Sequence, residues 1–323
     1  MKTTLSAAAL AASFVVSLTY SQDGLAQRSM ATLTQTGTNN SAGIEQETAL
    51  RTQAVITQTG NDNIAGGAML EGGIVQRESR GAATITQDGN RNLAGVLQQR
   101  TGTHATATVN QAGDDNLVLI SQVSNFSPAV EALQTGTRNA AYINQSNVDN
   151  LVRTRQTGTD NIITVDQNGA AYGGPFITQD GIGNVANLTQ YSDAFTGGIR
   201  MSQTGMRNNA TVVRSSSTFG EGMSVVQNGM DNQAALTSNG GRNPSSIIQN
   251  GDANTASVTK SLSFNGSSIM QTGNLNAATI VQSGVALSGL QPANVATIIQ
   301  AGDGFVASVA QAGSGNLGTI YQH

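Results

Sequence analysis

Cysteine and tryptophan are absent from the 323 residues, and histidine occurs only twice. Without thiols there is no disulfide framework and no cysteine-based metal or redox site. His104 and His323 supply neither a Ser-His-Asp spacing nor a paired-histidine metal motif. No glycine-rich stretch opens a helical pattern of the kind that cradles phosphate. The expectation is a protein that is not an enzyme and holds no cofactor and no metal. Charge is scarce as well. Charged residues make up 11% of the chain, the net charge is −4 and there is no basic block, so the footprint of a nucleic-acid binder is missing. After the first residues no apolar run is long enough to cross a bilayer.

The first 26 residues stand apart. Lys2 supplies a positive start, and Leu5 to Leu18 is rich in Ala, Leu, Val and Phe. Gly24-Leu25-Ala26 then offers small residues for cleavage before Gln27. This is the pattern of a secretory signal peptide, which divides the chain into a leader, 1–26, and an exported protein, 27–323.

What the rest of the chain has is repetition. Gln87-Asp88-Gly89-Asn90-Arg91-Asn92-Leu93-Ala94-Gly95-Val96-Leu97-Gln98 reads Q-x-G-x-x-N-x-A-x-x-x-Q. Its opening, Q-x-G-x-x-N, begins intact at Gln35, Gln58, Gln87, Gln111, Gln134, Gln156, Gln179, Gln203, Gln227, Gln249, Gln271 and Gln311. A worn copy at Gly289–Gln300 keeps Asn294, Ala296 and Gln300. Steps of mostly 22 to 24 residues signal a stacked-repeat architecture. Within each copy apolar and polar residues alternate, the strand period. G-x-x-N is turn chemistry, because Gly takes positive φ and Asn or Asp tolerates it. The fold class expected is all-β: a parallel two-sheet, amyloid-like β-solenoid of about thirteen strand-turn-strand rungs. No single rung buries enough apolar surface to fold alone, so each leans on its neighbours.

Two residues before each Gln lies an aliphatic column. The first ends on Ile269, Leu287 and Val309, and the second on Ile280, Ile298 and Ile320. The alternation puts these on the same face as Gln and Asn. Buried amides need partners, and identical amides stacked in parallel register supply them as Asn/Gln ladders. The Asn members are Asn40, Asn63, Asn92, Asn116, Asn139, Asn161, Asn184, Asn208, Asn232, Asn254, Asn276, Asn294 and Asn316. Closing Gln members are Gln46, Gln98, Gln122, Gln145, Gln167, Gln190, Gln282, Gln300 and Gln322. Arg214, Ser238 and Lys260 interrupt the closing column.

The residue before the ladder Asn runs Asp62, Arg91, Asp115, Arg138, Asp160, Gly183, Arg207, Asp231. Such alternation either helps set register, since like charges would repel along the stack, or arises by chance. Asp88, Asp114, Asp180 and Asp252 read as gatekeepers against aggregation. After Ala65 an insertion flanked by Gly pairs reads as a surface loop. Both ends of the array read as open edges, templates for head-to-tail stacking in which Ile320 and Gln322 of the last rung meet another copy.

The repeat resembles that of the curlins, S-x5-Q-x-G-x-x-N-x-A-x3-Q, over roughly residues 29 to 323. The leading Ser is mostly absent, with Ser245 near its place. The resemblance implies an extracellular functional amyloid of the Gram-negative cell surface that builds biofilm matrix and promotes adhesion. It implies a homopolymer, other curlin subunits as partners, and export through a dedicated outer-membrane pore with periplasmic chaperones. The family's ladder residues fall here on Gln87, Asn92 and Gln98 of one rung and their equivalents.

The alternative is a monomeric secreted β-solenoid, an adhesin or binding module. Thr32-x-Thr34, Thr84-x-Thr86 and Thr106-x-Thr108 suit an ice-binding face, but the Thr columns fail in later rungs. The Asp residues do not recur at a fixed calcium-ligand position.

Overall fold

The computed structural model describes residues 2–9, 14–21, 28–49, 51–65, 73–102, 104–124, 126–169, 173–191, 197–215, 222–261, 264–284 and 294–323. They fall into two compact units, Met1–Asp160 and Asn161–His323.

The first unit contains β1 (Lys2–Ala9), β2 (Phe14–Ser21), β3 (Arg28–Thr36), β4 (Asn40–Glu47), β5 (Gln53–Asn61), β6 (Ile64–Ala65) and β7 (Ile74–Arg77). It continues with β8 (Ala82–Asn90), β9 (Leu93–Gln99), β10 (Thr106–Asp114), β11 (Leu117–Val123), β12 (Ala129–Thr137), β13 (Ala140–Ser146) and β14 (Leu151–Thr159). One sheet runs β2-β3-β5-β8-β10-β12-β14. The other runs β1-β4-β6-β9-β11-β13, with β7 also between β4 and β9. All neighbours are parallel except β1 on β4 and β2 on β3. Successive repeats pair like on like, Gln58 with Gln87 and Gln111 with Gln134. The expected leader thus includes two strands laid antiparallel on the first rung. Gly24-Leu25-Ala26 lies outside the described residues.

In the second unit the strands are β15 (Ile162–Asn168), β16 (Phe176–Ile182), β17 (Val185–Tyr191), β18 (Ile199–Met206), β19 (Asn209–Ser215), β20 (Met223–Met230) and β21 (Gln233–Asn239). Then come β22 (Ser245–Asn250), β23 (Thr255–Ser261), β24 (Asn265–Thr272), β25 (Ala277–Ser283), β26 (Asn294–Ala301), β27 (Val306–Ala312) and β28 (Leu317–Gln322). Even-numbered strands form one parallel sheet and odd-numbered strands the other.

Each unit is a parallel two-sheet β-solenoid. The core lies between the sheets, where Leu33, Ile56, Ile85 and Val109 face Ile44, Ile74, Val96 and Ile120, all at most 1% exposed. A column of alanines, Ala31, Ala54, Ala83 and Ala107, lets the sheets close near the turn into β3, β5, β8 and β10. The turns between strands are held by glycine at φ near +110°, for instance Gly60 at 105° and Gly113 at 109°. A Cβ on Gly113 would lie 2.2 Å from the Gly136 carbonyl oxygen, so the stacked glycine column has no room for one. Before each ladder Asn whose preceding residue is described, that residue takes the left-handed region whatever its type, including Arg91 at 54° and Leu275 at 57°.

Among the described residues complete strand pairs number fewer than thirteen. The first unit has β3/β4, β5/β6–β7, β8/β9, β10/β11 and β12/β13 together with β14. The second has β15, then β16/β17, β18/β19, β20/β21, β22/β23, β24/β25 and β26/β27, and finally β28. The repeat phase expected for the last rungs is corrected. Ile298 and Gln300 pair with Ile269 and Gln271, and Val309 and Gln311 pair with Ile280 and Gln282. Ile320 therefore continues the column of Ile298 within the even-numbered sheet. The reason is that both half-rungs spell N-x-A-x-aliphatic-x-Q, as in Asn276–Gln282 and Asn294–Gln300. The motif alone cannot tell one sheet from the other. Leu287 and Pro292 lie outside the described residues.

The insertion after Ala65 splits one strand into β6 and β7, but both pieces keep register, Ile64 with Leu93 and Ile74 with Val96. Residues 66–72 lie outside the described residues. Six residues before the opening Gln stand Ser29, Thr52, Asn243 and Asn265, whereas Ser245 pairs with Met223 and Ser267, two residues further on.

Candidate functional site

The chemistry of both units is concentrated in rows of side-chain amides. In the first unit Gln35 Nε2 donates to Gln58 Oε1 at 2.7 Å. Gln58 donates to Gln87 at 2.8 Å, Gln87 to Gln111 at 2.9 Å, Gln111 to Gln134 at 3.0 Å and Gln134 to Gln156 at 2.7 Å. All six are at most 2% exposed. The remaining amide proton reaches across the core, as in Gln134 Nε2 to the Leu117 carbonyl at 2.9 Å. In the second unit Gln179, Gln203, Gln227, Gln249, Gln271, Gln300 and Gln322 repeat the row, each step 2.8–2.9 Å.

The facing sheet carries its own row. Gln46 donates to Gln76 at 2.9 Å, Gln76 to Gln98 at 2.8 Å, Gln98 to Gln122 at 2.9 Å and Gln122 to Gln145 at 3.0 Å. Gln76 is a member the repeat spacing misses, because the insertion displaces it; its signal is Ile74 two residues earlier. In the second unit Gln167 donates to Gln190 at 2.9 Å, and Gln282 to Gln311 at 2.8 Å. Between these pairs stand Arg214, Ser238 and Lys260, all buried. Arg214 Nη1 donates to the Gly197 carbonyl at 2.9 Å, and Lys260 Nζ to the carbonyls of Asn265, at 2.7 Å, and Pro244. Burial pushes the Arg214 pKa down. Both cations reproduce the cross-core bonds of a ladder Gln, donating to backbone carbonyls of the facing half-rung or the next turn.

Asn rows run the opposite way. Asn63 Nδ2 donates back to Asn40 Oδ1 at 3.1 Å, Asn92 to Asn63 at 3.1 Å, Asn116 to Asn92 at 3.1 Å and Asn139 to Asn116 at 3.2 Å. Asn184 donates to Asn161 at 3.1 Å, followed by Asn208, Asn232 and Asn254 at 3.0–3.1 Å. Each Nδ2 also clamps a turn glycine carbonyl, as Asn116 does to Gly136 at 2.8 Å. Asn276 Oδ1 accepts next from the Phe305 amide at 2.9 Å. Asn294 and Asn316 are not in this row. They form a second one with Asn265 at the opposite turn, at 2.9 and 3.0 Å.

An outer row was not foreseen. Asn61 Nδ2 donates to Asn90 Oδ1 at 3.1 Å and Asn90 Nδ2 to Asp114 Oδ1 at 2.9 Å. The Met230 amide donates to Asp252 Oδ1 at 2.8 Å. Asp114 and Asp252, read as gatekeepers, thus also fasten one turn to the next.

The alternating charges resolve into bidentate pairs on neighbouring rungs: Arg91–Asp115, Arg138–Asp160 and Arg207–Asp231, with N–O distances of 2.7–2.8 Å. Hydrogen bonding from the guanidinium, with Coulomb attraction added, lowers the carboxylate pKa in each. A lowered folded pKa means these pairs contribute stability above the unfolded carboxylate pKa and lose it as pH falls through the folded one. Being exposed, each contributes little. Carboxyl NMR titration is expected to place Asp115, Asp160 and Asp231 below the ordinary 3.8, and high salt to move them back up. Midpoints at or above that value would show that the pairs do not persist in solution.

Among the described residues no helix is long and apolar enough to cross a membrane, and no group of His, Asp or Glu is placed to hold a metal ion. His104 is exposed in a turn.

In-register parallel sheets joined by buried amide rows define the class: a stacked-repeat β-solenoid whose rungs bind one another through side-chain ladders. Residues 82–113, from the start of β8 to within β10, match the family model of the curlin associated repeat, consistent with a curlin-family protein. No curated protein matches the chain.

Proposed function

We propose that the chain is a curli-type structural subunit that self-assembles head to tail into extracellular amyloid fibres, serving biofilm matrix and surface adhesion, and has no catalytic role. The observation that carries this reading is the polarity of the ladders. Gln rows donate toward the C-terminal rungs and Asn rows toward the N-terminal ones. A second copy stacked in the same direction continues every row donor to acceptor, whereas a reversed copy sets donor against donor. Among the described residues no strand covers the outer edges of β27 and β28, where Leu317 and Tyr321 are 78% and 67% exposed. Such edges template strand addition. Other curlin subunits, an outer-membrane export pore and periplasmic chaperones are the partners this role requires, with residues 1–26 removed on export.

The antiparallel pairing of β1 and β2 on the first rung favours a second reading, a capped solenoid that stays monomeric while its leader is attached. Chains 27–323 and 1–323, each diluted from denaturant, decide between them. Self-seeding fibres of 27–323 with a meridional reflection at ~4.8 Å are expected. Chain 1–323 staying monomeric for days while 27–323 forms fibres would show the leader acting as a cap, and 27–323 itself staying monomeric would overturn the assembly reading. Gln322→Lys, which sets an ammonium at the end of the Gln row, is expected to slow seeded elongation at least tenfold. The same change at the exposed residue Thr135 of β12 is expected to leave it unaltered.

A further inference from the structure

The last described rung is closed at one turn and open at the other. At the turn from β26 to β27, Phe305 stands where earlier rungs carry the ladder Asn. Its amide still donates to Asn276 Oδ1 at 2.9 Å, but its side chain can pass no hydrogen bond onward. The ring also covers the turn glycine. A Cβ on Gly273 would meet the Gly302 carbonyl oxygen of the next rung at 2.1 Å, whereas a Cβ on Gly302 would meet the Phe305 ring at 2.8 Å. Phe305 therefore fills the place into which a further turn glycine would fit.

The turn from β27 to β28 is the reverse case. Gln311-Ala312-Gly313-Ser314-Gly315-Asn316 spells the intact motif, and a Cβ on Gly313 would meet nothing nearer than Asn316 Nδ2 at 4.0 Å. Asn208 shows the full interior set. Its amide and Nδ2 donate to Asn184 Oδ1, and Nδ2 also to the Thr204 carbonyl and to the Gly229 carbonyl of the next rung. Asn316 repeats the first three, onto Asn294 Oδ1 and the Ala312 carbonyl. Gln311 reaches the Val295 and Asn316 carbonyls as Gln203 reaches those of Val185 and Asn208, and Gln203 then goes on to Gln227. What would complete both sets beyond the described residues is one glycine carbonyl and one glutamine amide oxygen.

The first rung offers both at matching offsets. In β3 and β4 the motif runs Gln35, Gly37, Asn40 and Gln46, and in β27 and β28 it runs Gln311, Gly313, Asn316 and Gln322. The stagger agrees as well. Each strand of a solenoid stands half a rung beyond its predecessor, so β28 lies beyond β27 as β4 lies beyond β3. Setting β3 on β27 therefore brings β4 onto β28. Setting β3 on β28 would leave β27 one strand short of a neighbour, with the Phe305 ring under the incoming Gly37.

We propose that a second copy joins with its β3 on β27 and its β4 on β28, so that its first motif stacks on the last one. This rests on the assembly reading above and fixes which strands and residues meet. Gln311 donates to Gln35 of the second copy and Gln322 to Gln46 of the second copy. Asn316 holds the Gly37 carbonyl of the second copy, whose Asn40 donates back to Asn316. Phe305 then faces Ser29 at the start of the incoming β3, where no turn glycine has to be seated. The motif exposed at the open turn sets the junction, because the two strand edges alone present the same backbone chemistry.

The chain has no cysteine, so introduced pairs report the junction directly. In the proposed junction Ser308 of β27 lies beside Thr32 of the next copy, and with β3 on β28 that neighbour would be Thr319. In-register neighbours are about 4.8 Å apart, within disulfide range. Fibres of chain 27–323 carrying Thr32→Cys with Ser308→Cys, oxidised after growth, are expected to dissolve into covalent multimers on a non-reducing gel. Thr32→Cys with Thr319→Cys is expected to give roughly tenfold less. Should either pair block growth, Thr34→Cys with Ala310→Cys, against Thr34→Cys with Tyr321→Cys, repeats the comparison two residues along. Equal yields, a yield only from the β28 pair, or none from either would overturn the junction while the fibres themselves uphold the assembly reading. A parent chain that forms no fibres would overturn that reading, and the junction with it.

Discussion

Gly113→Ala is expected to destabilise the folded chain by about 3–5 kcal/mol, among the largest effects a single methyl can have. Two costs coincide. At φ 109° the backbone lies where residues with a Cβ are strained, and the added carbon would sit 2.2 Å from the Gly136 carbonyl oxygen. Retreat is blocked, because a Cβ on Gly136 would itself meet Gly158 at 2.1 Å: the glycines stack without slack. Asn116 Nδ2 also holds that same Gly136 carbonyl. Moving one turn therefore strips a ladder Asn of its partner. Denaturant midpoints measure the effect, with Gly222→Ala as the control expected to lie within about 0.5 kcal/mol of the parent. Equal midpoints for the two alanines would show that the glycine column is not close-packed in solution.

Asn116→Asp keeps shape and removes the donor, and its expected cost at neutral pH is about 4–6 kcal/mol. The parent side chain gives its amide protons to Asn92 Oδ1 and the Gly136 carbonyl, and its oxygen accepts from the amide and Nδ2 of Asn139. A carboxylate would face two acceptors in a fully buried position. Burial and those acceptors raise its folded pKa above the unfolded value of about 3.9. Stability is then greatest below that unfolded pKa, where a protonated oxygen can still donate once, and falls as pH rises through the raised folded pKa. Asn116→Asp is expected to fold better at pH 3 than at pH 7. Asn116→Ala should lose about 2–4 kcal/mol without that pH dependence. A pH-independent Asp variant would mean that the row is open to water.

These sites show what could be read before any coordinates. Turn glycine, ladder Asn and opening Gln recur at fixed offsets, and strand alternation puts them on one face, so rungs, turns and amide rows were legible from the repeat. Phase was not legible near the end, since Asn294–Gln300 spells the same half-rung as Asn276–Gln282 and stacking alone decides which sheet takes it. Gln76 was hidden by the insertion that precedes it. The interruption at Arg214, Ser238 and Lys260 was visible, but not that backbone carbonyls receive the two cations.

The opposed directions of the amide rows have an electrostatic consequence. A file of aligned amide dipoles adds up along its length, as peptide dipoles do in a helix, and leaves partial charge at its ends. Here the Gln files point one way and the Asn files the other. With two Gln files against one Asn file their fields cancel only in part, and adding a rung extends every file while the partial charge at each end stays that of the last amide. Length carries no electrostatic penalty from these rows, and a stack of such rungs has no intrinsic size at which growth should stop.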